Sequence, residues 1–242
     1  MQQVKSDHPP GHVGVISGDL SRYPQFMMSM MRLLVPVGCT WNWVRGNGFA
    51  QNRNLIVQGM SKEAEWLWFI DDDHVFDREL VFRLLERRVD VVQPLVSTRK
   101  PPYFPYVYRW SDAEDAHVTV DWPELPADGL FECDAVGTGG CLIRRPVLDA
   151  IGYPWFEEGR TGPDQLGEDL WFMRKAKDHG FRVFVDTDNC MGHTTTVDVW
   201  PVVYGHVRYL DLDVQHGVRV RVQSGVGRNT PSVSLPKTEK KR

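Results

Sequence analysis

The chain has 242 residues, 42% of them hydrophobic, enough to bury a substantial core as one domain with at most a small extension. Its 28 Lys+Arg against 32 Asp+Glu leave a formal charge of −4, which removes any general electrostatic reason to bind nucleic acid. No apolar run approaches the roughly 18 residues of a membrane span and the N-terminus is polar, so a soluble, cytoplasmic protein is expected. Cys39, Cys133, Cys141 and Cys190 lie far apart with no C-x-x-C pair, which predicts reduced thiols and neither a disulfide frame nor a zinc site.

Elements alternate along the chain. His12-Val-Gly-Val-Ile-Ser17 predicts a first strand, followed by a helix over 23–34 that Pro36 stops. Thr40-Trp-Asn-Trp-Val44 predicts a second strand, and 48–60 a helix with Leu55, Ile56, Gly59 and Met60 on one side. Glu65-Trp-Leu-Trp-Phe-Ile70 is a short continuous apolar run, the pattern of a strand buried on both faces, with Trp66 and Trp68 in the core. Asp77 is placed to cap a helix over 78–87, and Val89-Asp-Val-Val-Gln93 predicts a fourth strand. This strand–helix order implies a parallel sheet with right-handed crossovers, an α/β fold.

After Pro94 the pattern changes. Residues 97–105 read as a loop, and 106–110, 117–122 and 130–135 as short alternating strands that suit antiparallel pairing. Cys141-Leu-Ile143 predicts an apolar strand, with a helix over 146–151 behind it. The polar, glycine-bearing stretch 157–167 predicts a mobile loop. A helix over 167–180 ends on a glycine stop, and Phe181-Arg-Val-Phe-Val185 is the last core strand expected. The basic tail, 223–242, predicts disorder.

Three local groupings carry chemistry. Asp71-Asp72-Asp73 stands at the C-terminal end of the third strand, where open α/β sheets bind ligands. Such charge calls for a counter-ion, and oxygen-bound Mg²⁺ or Mn²⁺ is the usual one; a solvated acidic turn is the plain alternative. In a strand-terminal D-x-D, Asp71 and Asp73 lie on one side and Asp72 on the other. Glu168-Asp169 opens a helix, where acidic residues offset the dipole and where a carboxylate can equally serve as a general base. His193, after Gly192 and beyond the last expected strand, is either a packing residue or a ligand suited, with Asp, to Mn²⁺. Trp155, beside the 157–167 stretch, is a candidate aromatic platform for a ligand.

The order of these motifs resembles the GT-A glycosyltransferases, in particular small family-2-like enzymes of bacterial and phage type. The matching pieces are His12 to Asp19, Gln51-Asn-Arg-Asn54, Phe69-Ile-Asp-Asp-Asp-His-Val75, Gly137-Thr-Gly-Gly-Cys-Leu-Ile143, Gly167-Glu-Asp169 and Gly192-His193. The resemblance implies a Rossmann-like, mainly parallel sheet with a small antiparallel addition. It implies one domain over 1–222, with a donor-binding half at 12–96 and an acceptor and catalytic half at 97–222. It also implies transfer of a sugar from a nucleotide-diphospho-sugar, a UDP-sugar first, to an acceptor hydroxyl, with Mn²⁺ or Mg²⁺ as cofactor.

By the same resemblance Asp73 and His193 would be metal ligands, and Asp71 would touch the metal or the donor ribose. Ser17, Arg53, Gly139 and Gly140 would meet the donor, Glu168 would bind acceptor hydroxyls, and Asp169 would be the base. Where many members end the second strand on an acidic residue that reads uracil, this chain has Val44-Arg-Gly-Asn47. The acceptor could be a glycan, a protein, a small molecule or a modified DNA base. Two other classes use similar residues: a metal-dependent nuclease or nucleotidyltransferase, which needs a basic groove, and a non-catalytic nucleotide-sugar-binding module.

Overall fold

A computed structural model describes residues 1–18, 24–99, 102–161, 164–195, 197–204, 207–214, 218–223 and 233–234. In chain order the elements begin β1 (Gln2–Val4), β2 (His12–Ser17), α1 (Pro24–Arg32), β3 (Leu34–Pro36), β4 (Thr40–Arg45) and α2 (Phe49–Gln58). They continue with β5 (Trp66–Asp71), β6 (His74–Val75), α3 (Leu80–Glu86), β7 (Val91–Leu95), β8 (Val107–Ser111) and β9 (Ala116–Thr119). Next come β10 (Leu130–Cys133), β11 (Ala135–Val136), β12 (Leu142–Arg144), α4 (Arg145–Ile151), β13 (Gly159–Thr161) and β14 (Asp164–Leu166). Then follow α5 (Glu168–Asp178), β15 (Val183–Cys190), β16 (Gly192–His193), β17 (Val197–Tyr204), β18 (Val207–Val214), β19 (Val218–Gln223) and β20 (Val233–Ser234).

The chain divides into two units: 1–97 with 104–193, and 98–103 with 194–242. The first is built on a seven-stranded sheet of order β10-β15-β7-β12-β5-β2-β4. Strands β15, β7, β5, β2 and β4 share one direction, and β10 and β12 oppose it, so the fold is mixed α/β on a mainly parallel sheet. Strand β12 wedges between β7 and β5, so the third and fourth expected strands are not neighbours. The small antiparallel addition is β11-β8-β9.

Alternation along β5 divides the core. Leu67 and Phe69 join Ile56, Val91, Val147 and Phe172 on one face, under α2, α4 and α5. Trp66, Trp68 and Ile70 join Phe26, Leu80, Leu84 and Val92 on the other, under α1 and α3. A strand apolar at every position can only be covered this way, with helices on both faces. The largest fully buried side chains, Trp66 and Trp68, sit in that strand as expected. Gly14 on β2 has no room for a side chain, because a Cβ there would meet Ile56 Cγ2 at 2.3 Å.

Several local expectations are corrected. Helix α3 begins at Leu80, and Asp77 does not cap it; its Oδ1 accepts from the Glu79 N–H at 2.9 Å, closing an Asx-type turn just before the helix. The stretch 157–167 is not an irregular loop but a ribbon of β13 and β14, residues 162–163 lying outside the described set. Gly159 seats it on Trp171, since a Cβ there would reach the indole at 2.1 Å. The second unit carries an antiparallel sheet, β17-β18-β19-β20, in which Arg221 forks onto the buried Asp211 carboxylate at 2.7 and 3.0 Å. The tail expected to be disordered lies outside the described residues, except Gln223 and β20. Cys39, Cys133, Cys141 and Cys190 are all free thiols. Among the described residues, no helix is long and apolar enough to cross a membrane.

Candidate active site

Strand β5 ends on Asp71, which continues the face of Leu67 and Phe69. The chain then turns through Asp72 and Asp73 into β6, where His74 is paired with His193 of β16 in antiparallel register. Strand β15 delivers that second histidine: it runs parallel to β7, is irregular between Asp186 and Cys190, and hands over to β16 through the Met191 N–H, which donates to Leu95 O at 3.0 Å. Two strand ends far apart in sequence are thereby sewn together.

The result is a compact donor set. His193 Nε2 lies 3.2 Å from Asp73 Oδ2, and His74 Nδ1 lies 3.1 Å from Asp73 Oδ1. The two rings stack with centroids 4.6 Å apart, and the ligand atoms of Asp73, His74 and His193 all fall within 4.8 Å of one another. Burial alone would raise the Asp73 carboxyl, but hydrogen bonds with His193 and His74 outweigh it and hold the group well below the usual carboxylate range. His193 Nδ1 is 2.9 Å from Ser97 O, a second contact that orients the ring as outer-shell partners of metal-bound histidines do. A carboxylate with two imidazoles, mostly buried, fits a divalent transition ion such as Mn²⁺.

A second cluster faces the first. Arg53, on α2, is almost wholly buried, with its guanidinium 5.6 Å above the Phe69 ring. Its Nε donates to Glu168 Oε1 at 3.3 Å, while its Nη1 faces Asp71 Oδ1 at 3.6 Å. Neither of those last two atoms has a hydrogen bond, so the pair is loosely held. The neighbours of Arg53 explain its fixed pose. Asn52 Nδ2 donates to Asn47 O at 3.1 Å, and Asn54 both donates to Phe156 O at 2.7 Å and accepts from its N–H at 3.0 Å. Asp169 follows Glu168 in the first turn of α5; its Oδ1 accepts from the Leu170 N–H at 2.8 Å. Burial, and then the charge of Glu168, raise the Asp169 carboxyl above its ordinary value.

The two clusters share a cavity of about 100 Å³, lined by Arg53, Asp71, His74, Gln93, Gly139, Asp169 and His193 among others. Gly139 is required there, since a Cβ would come within 2.5 Å of Asp71 Oδ2 and 3.2 Å of His74 Cε1. Gly140 adopts φ +122° and its carbonyl accepts from the Trp68 indole at 2.8 Å, which ties the glycine turn to the core.

Of the residues expected from sequence, Asp71, Asp169, Arg53, Gly139 and His193 line this cavity, and Glu168 and Asp73 touch residues that do. Asp71 stands outside the Asp-His-His cluster, on the Arg53 side. Ser17 ends β2 with its hydroxyl accepting from the Trp43 indole, and Gly140 lies behind Gly139; neither is among the lining residues. Trp155 is not brought to the cavity: its indole donates to Leu148 O at 2.8 Å and its ring packs against the core. Sequence reasoning did not single out His74, Gln93, Tyr106 or Thr138. His74 directly follows the aspartates, and Gln93 is a polar residue inside an apolar strand run, which are usable signals.

No family model matches the sequence, and no curated protein matches it. Among solved structures, GalNAc-T7 with UDP, GalNAc and Mn²⁺ is similar over 78% of this chain and 44% of that one, at 14% identity and a TM-score of 0.51. A197 from STIV covers 96% of this chain and 98% of its own, at 14% identity and a TM-score of 0.45. TarS of S. aureus in complex with UDP-GlcNAc covers 76% of this chain and 59% of its own, at 14% identity and a TM-score of 0.40. The likeness to GalNAc-T7 shows the fold alone, a GT-A-type α/β fold on a mainly parallel sheet.

Proposed function

We propose that the protein is a metal-dependent glycosyltransferase of the small family-2-like kind, moving a sugar from a nucleotide-diphospho-sugar, a UDP-sugar first, to an acceptor hydroxyl. The observation that carries this reading is one cavity lined both by His74 and His193 of the Asp73-His74-His193 ligand set and by Asp169, a carboxylate whose pKa burial raises. Asp73, His74 and His193 would hold a divalent cation, Mn²⁺ or Mg²⁺, whose charge offsets that of the departing diphosphate.

The remaining chemistry belongs to the chain. Asp169 takes the proton of the acceptor hydroxyl as that oxygen bonds to the anomeric carbon and the anomeric carbon–diphosphate bond breaks. Its raised pKa suits it to hold that proton. Arg53, loosely paired with Asp71 and tied to Glu168, is a buried cation free to turn toward donor phosphate. Glu168 keeps that guanidinium in place and offers oxygen to acceptor hydroxyls. Gly139 lets the donor approach the backbone beside Asp71.

The test is release of nucleoside diphosphate from a panel of UDP-sugars with Mn²⁺, followed chromatographically with and without EDTA and with mixed acceptors. Metal-dependent release of UDP, lost in Asp169→Asn, supports the reading. Cleavage of phosphodiesters with every UDP-sugar left intact contradicts it.

A further inference from the structure

Two uncharged polar side chains lining the cavity, Gln93 and Thr138, each carry a buried oxygen without a hydrogen bond. Gln93, on β7, stands on the same face as Val91, two residues earlier, and both point to the side of the sheet that carries the cavity. Its side chain is 2% exposed, and its Oε1 has no hydrogen-bond partner. Thr138, in the glycine turn before β12, is 1% exposed, and its Oγ1 likewise has none. Both residues line the cavity beside Tyr106 and Gly137. More than about nine in ten buried polar groups in proteins are hydrogen-bonded, so two orphans on one wall call for an explanation.

The surrounding residues say what would satisfy them. The space exceeds by far the roughly 10–15 Å³ that one water requires, at about 100 Å³. Gly137 keeps it open, because a Cβ there would rest against Tyr106 Cδ1 at 3.6 Å and the Gln93 amide at 3.7 Å. Neither Gln93 nor Thr138 carries a charge that would hold a phosphate, a task left to Arg53, which is bonded to Glu168 and only loosely paired with Asp71. An amide oxygen accepts, a hydroxyl both donates and accepts, and an aromatic ring beside them offers an apolar face. That combination matches a neutral ring bearing hydroxyl groups.

Building on the nucleotide-sugar reading above, we infer that Gln93 and Thr138 select the transferred sugar, by hydrogen-bonding polar substituents of a neutral glycosyl unit. Because neither side chain gives up a hydrogen bond when truncated, their polarity serves the ligand and not the fold. Gln93→Leu and Thr138→Val should therefore leave the ligand-free protein as stable as wild type or more so.

The experiment is titration calorimetry with Mn²⁺ on wild type, Gln93→Leu and Thr138→Val. The probes are UDP, UDP-glucose, UDP-galactose, UDP-GlcNAc and UDP-GalNAc, and the melting temperature of each ligand-free protein is measured alongside. The quantity read is the ratio of the Kd for a UDP-sugar to the Kd for UDP, which isolates the sugar. For the preferred sugar, each variant should raise that ratio about tenfold with the Kd for UDP unchanged and the ligand-free melting temperature not lowered. A ratio within about threefold of wild type for every sugar overturns the inference while leaving nucleotide binding intact. A lowered melting temperature in both variants overturns it as well, by making the two side chains structural. A wild type that binds UDP but no UDP-sugar has the same consequence. Failure of wild type to bind UDP at all removes the nucleotide-sugar reading and this inference together.

Discussion

The Asp73 carboxylate and the His193 imidazole meet at 3.2 Å across 120 residues of chain. They meet because β6 and β16 pair in a register that sets His74 opposite His193. Removing any member should dismantle the donor set without touching the buried β5. Asp73→Ala and His193→Ala are each expected to weaken Mn²⁺ affinity by at least about tenfold, as even outer-shell losses cost 10–100-fold. His74→Ala is expected to do the same, although only its position after the aspartates marks it in the sequence. Calorimetric titration of Mn²⁺ into the ligand-free proteins checks all three, and an unchanged affinity in His74→Ala would leave that residue a packing group.

Asp169 gives a pH prediction whose sign follows from its raised pKa. The base form is the ionised one, so transfer should rise with pH through the raised value and level off above it. An acid limb lying above the ordinary carboxylate range is expected in kcat/KM, and an acid limb at the ordinary value would contradict the assignment.

The same shift has a stability consequence. A carboxyl whose pKa is raised on folding binds its proton more tightly in the native state, so its ionised form destabilises the fold at pH above that value. Asp169→Asn removes the charge and can keep the bond from the Leu170 N–H. It should melt at or above the wild-type temperature at pH 7 while losing about 10²–10⁴ of the transfer rate. A variant that loses activity only by unfolding would show a lowered melting temperature instead.

Gly139→Ala tests the close approach at the site. The added Cβ would sit 2.5 Å from Asp71 Oδ2 and 2.9 Å from its Cγ, so the carboxylate must move. A loss of about 1–3 kcal/mol in donor binding is expected, the range for overpacking a fitted position. Competition binding with UDP-sugars in the presence of Mn²⁺ measures it, and unaltered affinity would show that Asp71 has room to yield.

Arg87 offers a control remote from the chemistry. Its Nε and Nη2 each donate at 2.8 Å to the Asp186 carboxylate, which is 0% exposed. Arg87→Met leaves that charge buried with the Asn189 amide still donating at 2.7 Å. A destabilisation of about 3–5 kcal/mol is expected in urea unfolding, with the Mn²⁺ affinity of the folded protein unchanged.

How far the sequence speaks depends on the kind of signal. The β5 run was legible because a strand buried on both faces leaves no polar position, and the aspartates ending it marked the site. The orientation of β12 was not legible: three residues, Leu142–Arg144, are too few for a pattern, and only pairing with both β7 and β5 shows that it runs antiparallel. The ribbon at β13 and β14 was hidden by its glycines and charges, which read as a loop until Trp171 supplies a surface. The expected elements stop at His193, although Val218-Arg-Val-Arg-Val222 alternates in the plain manner of a strand. Within the site, single residues were visible, but partnerships such as Arg53 with Glu168, or Asp73 with His74, depend on register and were not.

Thermal stability with a panel of UDP-, GDP-, ADP-, CMP- and dTDP-sugars, each with Mn²⁺ and with EDTA, bears most directly on the central claim. A ligand at about 100 times its Kd adds about 2.7 kcal/mol to the native state, an easily measured rise in melting temperature. The expected result is a rise with one nucleotide class, strongest for UDP, that disappears with EDTA and in Asp73→Ala. No rise with any nucleotide-sugar, while Mn²⁺ alone still stabilises the fold, would contradict nucleotide-sugar transfer and turn the same metal site toward phosphodiester chemistry.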